Sequence, residues 1–139
     1  MLYLHAMGHF HPENVLSNKF LEELDIGTTD QWIMERVGIK NRRTVLPLDY
    51  IRQTKNVNPL KSFSIRQYTN SQMSAKAARM ALERAGLEPE DIGLLISGSS
   101  SPDNITPAEA GAVAAELGIE VPCFDLNSAC STFGKIGRA

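Results

Sequence analysis

Hydrophobic positions follow two periods along the chain, one typical of strands and one typical of helices. Short apolar runs predict strands over residues 2–7, 92–96 and 121–126, with a weaker candidate over 39–46. Apolar residues three or four positions apart predict helices, most of which end at a glycine. The predicted helices run over 17–27, 28–38, 70–85, 106–118 and 132–138. Strands that alternate with helices indicate a layered α/β fold with a largely parallel sheet.

Local signals refine several of these elements. Ser17 is predicted to cap the first helix, and Thr28 with Gln31 fits a capping box at the second. The stretch Thr106-Pro107-Ala108-Glu109 predicts a cap, a first-turn proline and a capping-box glutamate for a later helix. The continuous apolar run over 92–96 predicts a strand that is buried on both faces.

Residues 46–67 follow neither period. Pro47, Asn56, Asn58 and Pro59 are typical of a long loop, and loops of this length are often functional. We therefore predict a loop insertion over 46–67. It would lie within one domain that has one core, because 139 residues is close to the usual size of a domain.

Composition excludes several classes of protein. A charged share of 22% and a formal net charge of −2 exclude a histone-like polycation and a disordered polyelectrolyte. No apolar run approaches the roughly 18 residues of a membrane span, and the first residues lack the features of a signal peptide. Two cysteines are too few for the disulfide framework of a secreted protein. We expect a cytoplasmic protein that does not bind membranes.

Basic residues are concentrated in one part of the chain. Residues 36–66 contain eight basic side chains and one acidic side chain, Asp49, which gives a local charge of +7. Two interpretations remain open: a solvated loop without a partner, or a surface that attracts a phosphate-bearing ligand or an acidic protein. Only Tyr50 and Phe63 supply aromatic rings there, too few for the stacking platforms of a nucleic-acid-binding protein.

Cys130 is the candidate nucleophile. It follows a predicted strand and a short polar turn, and it precedes the predicted helix over 132–138. The free N–H groups at a helix start favour the thiolate form of a cysteine and can hold the oxyanion formed when a thiolate attacks a thioester. Position alone also fits a small buried cysteine, the commoner case. Cys123 is interpreted as a core thiol, and His5, His9 and His11 as structural residues without a metal.

Several segments together resemble a known family. They are GHFHPE at 8–13, TTDQWI at 28–33, RVGIKNRR at 36–43, DIGLLI at 91–96 and FDLNSAC at 124–130. In this order and spacing they resemble the N-terminal half of β-ketoacyl-[acyl carrier protein] synthase III, of the thiolase-like superfamily. The resemblance implies one N-terminal thiolase-like domain over 1–139, with a mixed, largely parallel sheet layered between helices.

The resemblance also implies roles for individual residues. Cys130 corresponds to the family's nucleophile, which takes an acyl group from acyl-CoA. Trp32 corresponds to the ring that stacks on the adenine of coenzyme A, and Arg36 to a guanidinium that meets its nucleotide part; Thr28 would add a polar contact. Trp32 and Arg36 are four positions apart, so a helix would place both on one face. An ordinary core aromatic at Trp32 and a solvated Arg36 remain the alternatives.

The family further implies an acyltransferase of fatty-acid or polyketide biosynthesis with no permanently bound cofactor and no metal. Its partners would be acyl-CoA and malonyl-[acyl carrier protein], and the complete enzyme would be a homodimer. The family's enolate-stabilising histidine and asparagine lie in its C-terminal half, so we expect a chain truncated after the nucleophile turn to lack condensation activity by itself. The alternative is a non-catalytic, truncated or degenerate homologue that acts as an assembly partner.

Overall fold

The computed structural model of the chain describes residues 3–137, which form two compact units. The 11–68 unit is continuous, whereas the split unit joins residues 3–10 to residues 69–137. Each unit has its own buried cluster of apolar side chains. The described residues therefore bury two separate apolar clusters, where the sequence predicted one core.

The 11–68 unit combines a small antiparallel sheet with four short helices. Its elements are β1 (Asn14–Ser17), α1 (Asn18–Glu23), α2 (Asp30–Val37), β2 (Asn41–Thr44), α3 (Leu48–Thr54) and α4 (Pro59–Ile65). Strand β1 pairs with β2, with Asn14 opposite Thr44. Phe20, Leu24 and Ile51 form the buried cluster, so α1 and α3 contribute to one core.

The helix starts in this unit are partly as predicted. Ser17 caps α1, since its Oγ accepts a hydrogen bond from the Phe20 N–H at 3.1 Å. The predicted capping box of Thr28 and Gln31 lies one residue too early in the chain. Thr29 is the N-cap of α2, and its Oγ1 accepts from the Trp32 N–H at 3.1 Å. Helix α2 ends at Gly38, which has a φ of 67° that favours glycine.

The prediction of a long loop over 46–67 is also wrong. Helices α3 and α4 occupy most of the stretch, and Ile51 buries one face of α3 in the core. Pro47 is the N-cap residue of α3, and Pro59 is the first residue of α4. The prolines that were typical of a loop therefore mark helix starts, where proline needs no hydrogen-bonding N–H.

The split unit contains the longer helices and a parallel pair of strands. Its elements are α5 (Asn70–Ala85), β3 (Leu95–Ser97), α6 (Glu109–Leu117), β4 (Cys123–Asp125) and α7 (Thr132–Ile136), with short 3₁₀ turns at Pro89–Asp91 and Ala129–Ser131. Leu95 lies opposite Cys123 in the parallel pair. The core cluster joins Ala75 of α5 to residues of α6.

The sheet differs from the prediction. Within residues 3–137 there are two two-stranded sheets, of which only β3–β4 is parallel, and no single mixed sheet lies between helices. Leu2 lies outside the described residues, and residues 3–7 form no strand. Instead Gly8 packs against α5 so closely that a Cβ there would lie 2.0 Å from the Ala77 carbonyl oxygen.

The apolar run over 92–96 is not buried on both faces. Strand β3 begins only at Leu95, and Leu94 is 50% exposed. The core cluster meets this region through Ile92 and Leu95, so it covers only part of the run.

The observed start of α6 differs from the predicted one. The helix begins at Glu109 rather than at the expected cap Thr106. Its first two N–H groups, of Glu109 and Ala110, donate to the carboxylate of Asp125, each at 2.9 Å. Ala108 at the N-cap has no side-chain acceptor, so β4 supplies the cap. None of the helices within residues 3–137 combines the length and the apolar character needed to span a bilayer.

Candidate functional site

Cys130 lies in the turn that follows β4. It is the central residue of the 3₁₀ turn Ala129–Ser131, and α7 begins two residues later. Its side chain is exposed, and neither described cysteine is in a disulfide. Cys123 is half-buried within β4. The thiol that is accessible to a substrate is therefore that of Cys130.

Hydroxyl groups fix the backbone on both sides of Cys130. The Ser128 N–H donates to Thr132 Oγ1 at 2.8 Å, and that hydroxyl donates to the Ala129 carbonyl oxygen at 2.9 Å. Ser131 Oγ donates to the Ser128 carbonyl oxygen at 2.9 Å. Ala129 has a φ of 45°, a left-handed conformation that is uncommon for a residue with a Cβ. These bonds hold the turn in a conformation that costs conformational energy.

The end of β3 lies directly against this turn. The Leu126 N–H donates to the Ser97 carbonyl oxygen at 2.8 Å, and the Ser99 N–H donates to Asn127 Oδ1 at 2.6 Å. A Cβ at Gly98 would lie 2.2 Å from Thr132 Cγ2. Only glycine at position 98 lets β3 and the start of α7 approach this closely.

A cavity of about 370 Å³ opens beside the thiol. Cys130, Ser131, Gly134 and Lys135 line it. An ammonium group stabilises negative charge that develops on a carbonyl oxygen during nucleophilic attack. The cavity thus has the exposed Cys130 and a lysine among its lining residues.

Trp32 and Arg36 lie together on α2. The Trp32 side chain is 53% exposed, and the Arg36 guanidinium carbon lies 5.7 Å from the centroid of its ring. This separation is typical of a cation–π contact. An exposed ring next to a guanidinium offers a stacking surface and a positive charge to the same ligand.

Thr28 precedes the cap of α2. Its Oγ1 is shielded from solvent and has no hydrogen-bond partner among residues 3–137. Thr28, Trp32 and Arg36 belong to the 11–68 unit, whereas Cys130 belongs to the split unit.

Part of the basic segment is used within the fold. Arg42 Nη1 donates to Asn18 Oδ1 at 2.7 Å, and Arg43 Nη1 donates to the Glu13 carbonyl oxygen at 3.0 Å. Arg52 lies 5.0 Å from the Phe20 ring centroid. These three side chains support the 11–68 unit, so a count of charges along the sequence overstates the surface open to a partner.

Sequence reasoning missed the residues that support the Cys130 turn. Gly98, Ser128 and Thr132 act through contacts that depend on the path of the chain around the turn. The hydroxyl residues Ser131 and Thr132 were the available signal, because serine and threonine at a helix start commonly bond to nearby backbone groups. Within residues 3–137, no group of three or more His, Cys, Asp or Glu side chains is arranged to hold a metal ion.

Two of the curated proteins that are similar to this chain have the same name. The chain is 40% identical over 129 residues to the β-ketoacyl-[acyl-carrier-protein] synthase III of Chlamydia caviae, covering 92% of this chain and 32% of that protein. It is 37% identical over 130 residues to the synthase III of a Sulfurovum species, with the same coverage. The chain spans about a third of the length of these curated relatives. No protein-family model matches it.

Solved structures agree with the sequence relatives. The 3-oxoacyl-[acyl-carrier-protein] synthase III from Aquifex aeolicus matches with a TM-score of 0.75 and 33% identity, over 94% of this chain and 36% of that one. The priming β-ketosynthase of the R1128 polyketide biosynthetic pathway matches with a TM-score of 0.77 and 30% identity, over 96% and 34%. The chain is therefore a homologue of the β-ketoacyl-[acyl-carrier-protein] synthases III, with their thiolase-like fold over the third of their length that it spans.

Proposed function

We propose that Cys130 is the acyl-accepting nucleophile of an acyltransferase of the β-ketoacyl-[acyl carrier protein] synthase III type, acting in fatty-acid or polyketide biosynthesis. The observation that supports this most strongly is the exposed, free thiol of Cys130. It lies in the turn after β4, which a hydrogen bond from the Ser128 N–H to Thr132 Oγ1 stabilises. It lies in a chain that is 40% identical to a synthase III over 92% of its residues.

The first half-reaction forms an acyl-enzyme. The Cys130 thiolate attacks the carbonyl carbon of an acyl-CoA thioester, and the new C–S bond forms as the carbonyl oxygen takes up negative charge. Lys135 lines the same cavity, and its ammonium group would favour that charge if it turned toward the carbonyl oxygen. Collapse of the intermediate expels the thiolate of coenzyme A, which takes up a proton, and leaves the acyl group on Cys130.

Recognition of coenzyme A is assigned to α2. The exposed Trp32 ring would stack on the adenine, and Arg36 would meet a phosphate of the nucleotide, because guanidinium and phosphate form charge-assisted hydrogen bonds. Thr28 Oγ1, which is shielded and unpaired among residues 3–137, would gain a polar contact. Coenzyme A is in this account part of a substrate and not a resident cofactor.

In enzymes of this type, the second half-reaction forms a carbon–carbon bond and needs the enolate-stabilising groups that the resemblance assigns to the C-terminal half of the family. A malonyl group on acyl carrier protein loses CO₂, and the resulting enolate carbon attacks the acyl carbon on Cys130. The bond to sulfur breaks, the Cys130 thiolate is regenerated, and the β-ketoacyl product remains on the carrier.

Acylation is tested by incubating the purified protein with acetyl-CoA and measuring its intact mass. The wild-type protein and a Cys123→Ser control should each gain one acetyl group, whereas Cys130→Ser should gain none. A folded wild-type protein that stays unmodified, or an adduct that disappears only in Cys123→Ser, would contradict the proposal. The first of these results would favour the non-catalytic assembly partner instead.

A further inference from the structure

Ser131 follows Cys130 in the chain and shares its cavity. Both residues line the cavity of about 370 Å³ beside the thiol, together with Gly134 and Lys135. Ser131 is exposed. It is therefore accessible to a molecule that binds next to the thiol.

The hydroxyl of Ser131 does not cap α7. Ser131 is the N-cap residue of this helix, and a serine at an N-cap usually accepts a hydrogen bond from an N–H two or three residues later. Its side chain accepts no such bond. Instead Ser131 Oγ donates to the Ser128 carbonyl oxygen at 2.9 Å and lies 3.0 Å from Ser128 Oγ. The helix start therefore does not depend on this hydroxyl.

The two serine hydroxyls form a chain of hydrogen bonds with one direction. Each hydroxyl has a single proton. Because the proton of Ser131 goes to the Ser128 carbonyl oxygen, Ser128 Oγ is the donor in the pair at 3.0 Å. This bond holds the Ser131 oxygen in place when the Ser131 proton turns. A hydroxyl that accepts a hydrogen bond also becomes a stronger donor.

The turn keeps its other bonds when the Ser131 proton turns away. The Ser131 N–H donates to the same Ser128 carbonyl oxygen at 3.0 Å, so that oxygen retains a partner. Thr132 Oγ1 accepts from the Ser128 N–H at 2.8 Å and donates to the Ala129 carbonyl oxygen at 2.9 Å. The Thr132 hydroxyl is thus fully used within the turn, whereas that of Ser131 can change its partner.

We propose that Ser131 is a further catalytic residue, whose hydroxyl donates a hydrogen bond to the carbonyl oxygen of the acyl donor while Cys130 is acylated; this rests on the proposed function. The Cys130 thiolate attacks the carbonyl carbon, the new C–S bond forms, and an electron pair of the C=O bond moves to the oxygen. The Ser131 proton turns from the Ser128 carbonyl oxygen to this oxyanion and stays bonded to Oγ.

The gain arises in the transition state. A hydrogen bond to an oxygen that carries negative charge is stronger than one to a neutral carbonyl oxygen. The Ser131 hydroxyl therefore stabilises the developing oxyanion more than the bound acyl donor, which lowers the barrier. When the intermediate collapses, the thiolate of the donor leaves and takes a proton from solvent.

The test separates this chemical role from support of the turn. Acylation and alkylation by iodoacetamide both need an accessible Cys130 thiolate, but only acylation passes through a carbonyl oxyanion. Both rates are measured by intact mass in a Cys123→Ser background. The acyl donor is acetyl-pantetheine, which carries the thioester but does not require nucleotide recognition by α2.

Ser131→Ala should slow acylation at least about tenfold, because an oxyanion donor is lost, and should leave the rate of alkylation unchanged. Ser131→Thr keeps a hydroxyl and should restore most of the lost rate. Ser74→Ala removes an exposed serine of α5 and is the matched control, which should react as the parent protein does.

Slower acylation with unchanged alkylation, restored by Ser131→Thr, supports the catalytic role. An equal rate of acylation in Ser131→Ala and the parent overturns it, and so does a loss that Ser131→Thr does not restore. A parallel fall in acylation and alkylation also overturns it, because Ser131 would then only support the turn. In these three cases Cys130 remains the acyl acceptor. A parent protein in which neither acetyl-CoA nor acetyl-pantetheine acylates Cys130 would overturn the proposed function as well.

Discussion

At the scale of single residues, the two cysteines differ in what surrounds them. Cys130 is exposed in a turn, whereas Cys123 is half-buried in a strand whose partner is β3. The sequence left open whether Cys130 is buried, and it predicted a core thiol at Cys123, which is only half-buried. It did not predict the hydroxyl bonds from Ser131 and Thr132, because a bond to a particular carbonyl depends on the path of the turn.

We expect iodoacetamide to label Cys130 before Cys123. Exposure governs access of the reagent, and Cys123 is less exposed than Cys130. Limiting reagent at neutral pH, followed by peptide mapping, measures both sites. Protein unfolded in urea serves as the control, and there the two cysteines should react at similar rates. Preferential labelling of Cys123 in folded protein would contradict the assignment of the nucleophile.

The placement of Trp32 and Arg36 on one face of a helix was predicted from their spacing in the sequence. Residues four positions apart on a helix share a face, and the structure places the guanidinium 5.7 Å from the ring centroid. Spacing could not show that the Trp32 ring is half exposed rather than buried, because that depends on which neighbours pack against α2.

Coenzyme A should quench the fluorescence of Trp32, the single tryptophan of the chain. Arg36→Ala should weaken binding by about 1–3 kcal/mol, because a charge-assisted hydrogen bond to a phosphate is lost. A fluorescence titration gives both dissociation constants. Lys19→Ala removes an exposed cation from α1 and is the control that should change little. If emission stays constant up to millimolar ligand in folded protein, α2 does not bind the nucleotide.

At the scale of elements, helices were predicted better than strands and caps. Helix α5 spans the predicted residues 70–85 and ends at Gly86, because both its periodicity and its C-cap are local. The predicted start of α6 was wrong because the residue that caps the helix, Asp125, lies 16 residues after Glu109 in the chain. Strands β3 and β4 are shorter than the apolar runs that predicted them, and β1 was not predicted.

Replacing Asp125 should destabilise the split unit. Its carboxylate accepts from two N–H groups at the start of α6, so Asp125→Ala leaves both without that acceptor. We expect a loss of about 1–2 kcal/mol in the free energy of unfolding, as for other helix caps. Asp125→Asn keeps one acceptor oxygen and should lose less.

Urea unfolding followed by circular dichroism measures this loss. Glu120→Gln, at an exposed position of the same unit, is the control and should stay close to the wild type. An Asp125→Ala midpoint equal to that of the wild type would mean that the cap contributes nothing to stability.

At the scale of the whole molecule, the chain is a homologue of β-ketoacyl-[acyl-carrier-protein] synthase III that spans about a third of those relatives. The sequence revealed this relationship through motifs near 8–43 and 91–130 taken in order. It did not reveal the separate cluster of the 11–68 unit, because Ile51, in a stretch that was predicted as a loop, packs with Phe20 and Leu24. The proposal assigns the acyl acceptor to the split unit and nucleotide recognition to the 11–68 unit.

The most direct test of this account compares two acyl donors. Acetyl-CoA and acetyl-pantetheine carry the same thioester, but only the former has the nucleotide. The rate of acetylation is measured with each at equal, subsaturating concentration, and the modified peptide is identified by mass. The account predicts modification of Cys130, faster from acetyl-CoA, with that advantage largely lost in Arg36→Ala. Equal rates in the wild type, or an acetyl group on any other residue, would contradict it.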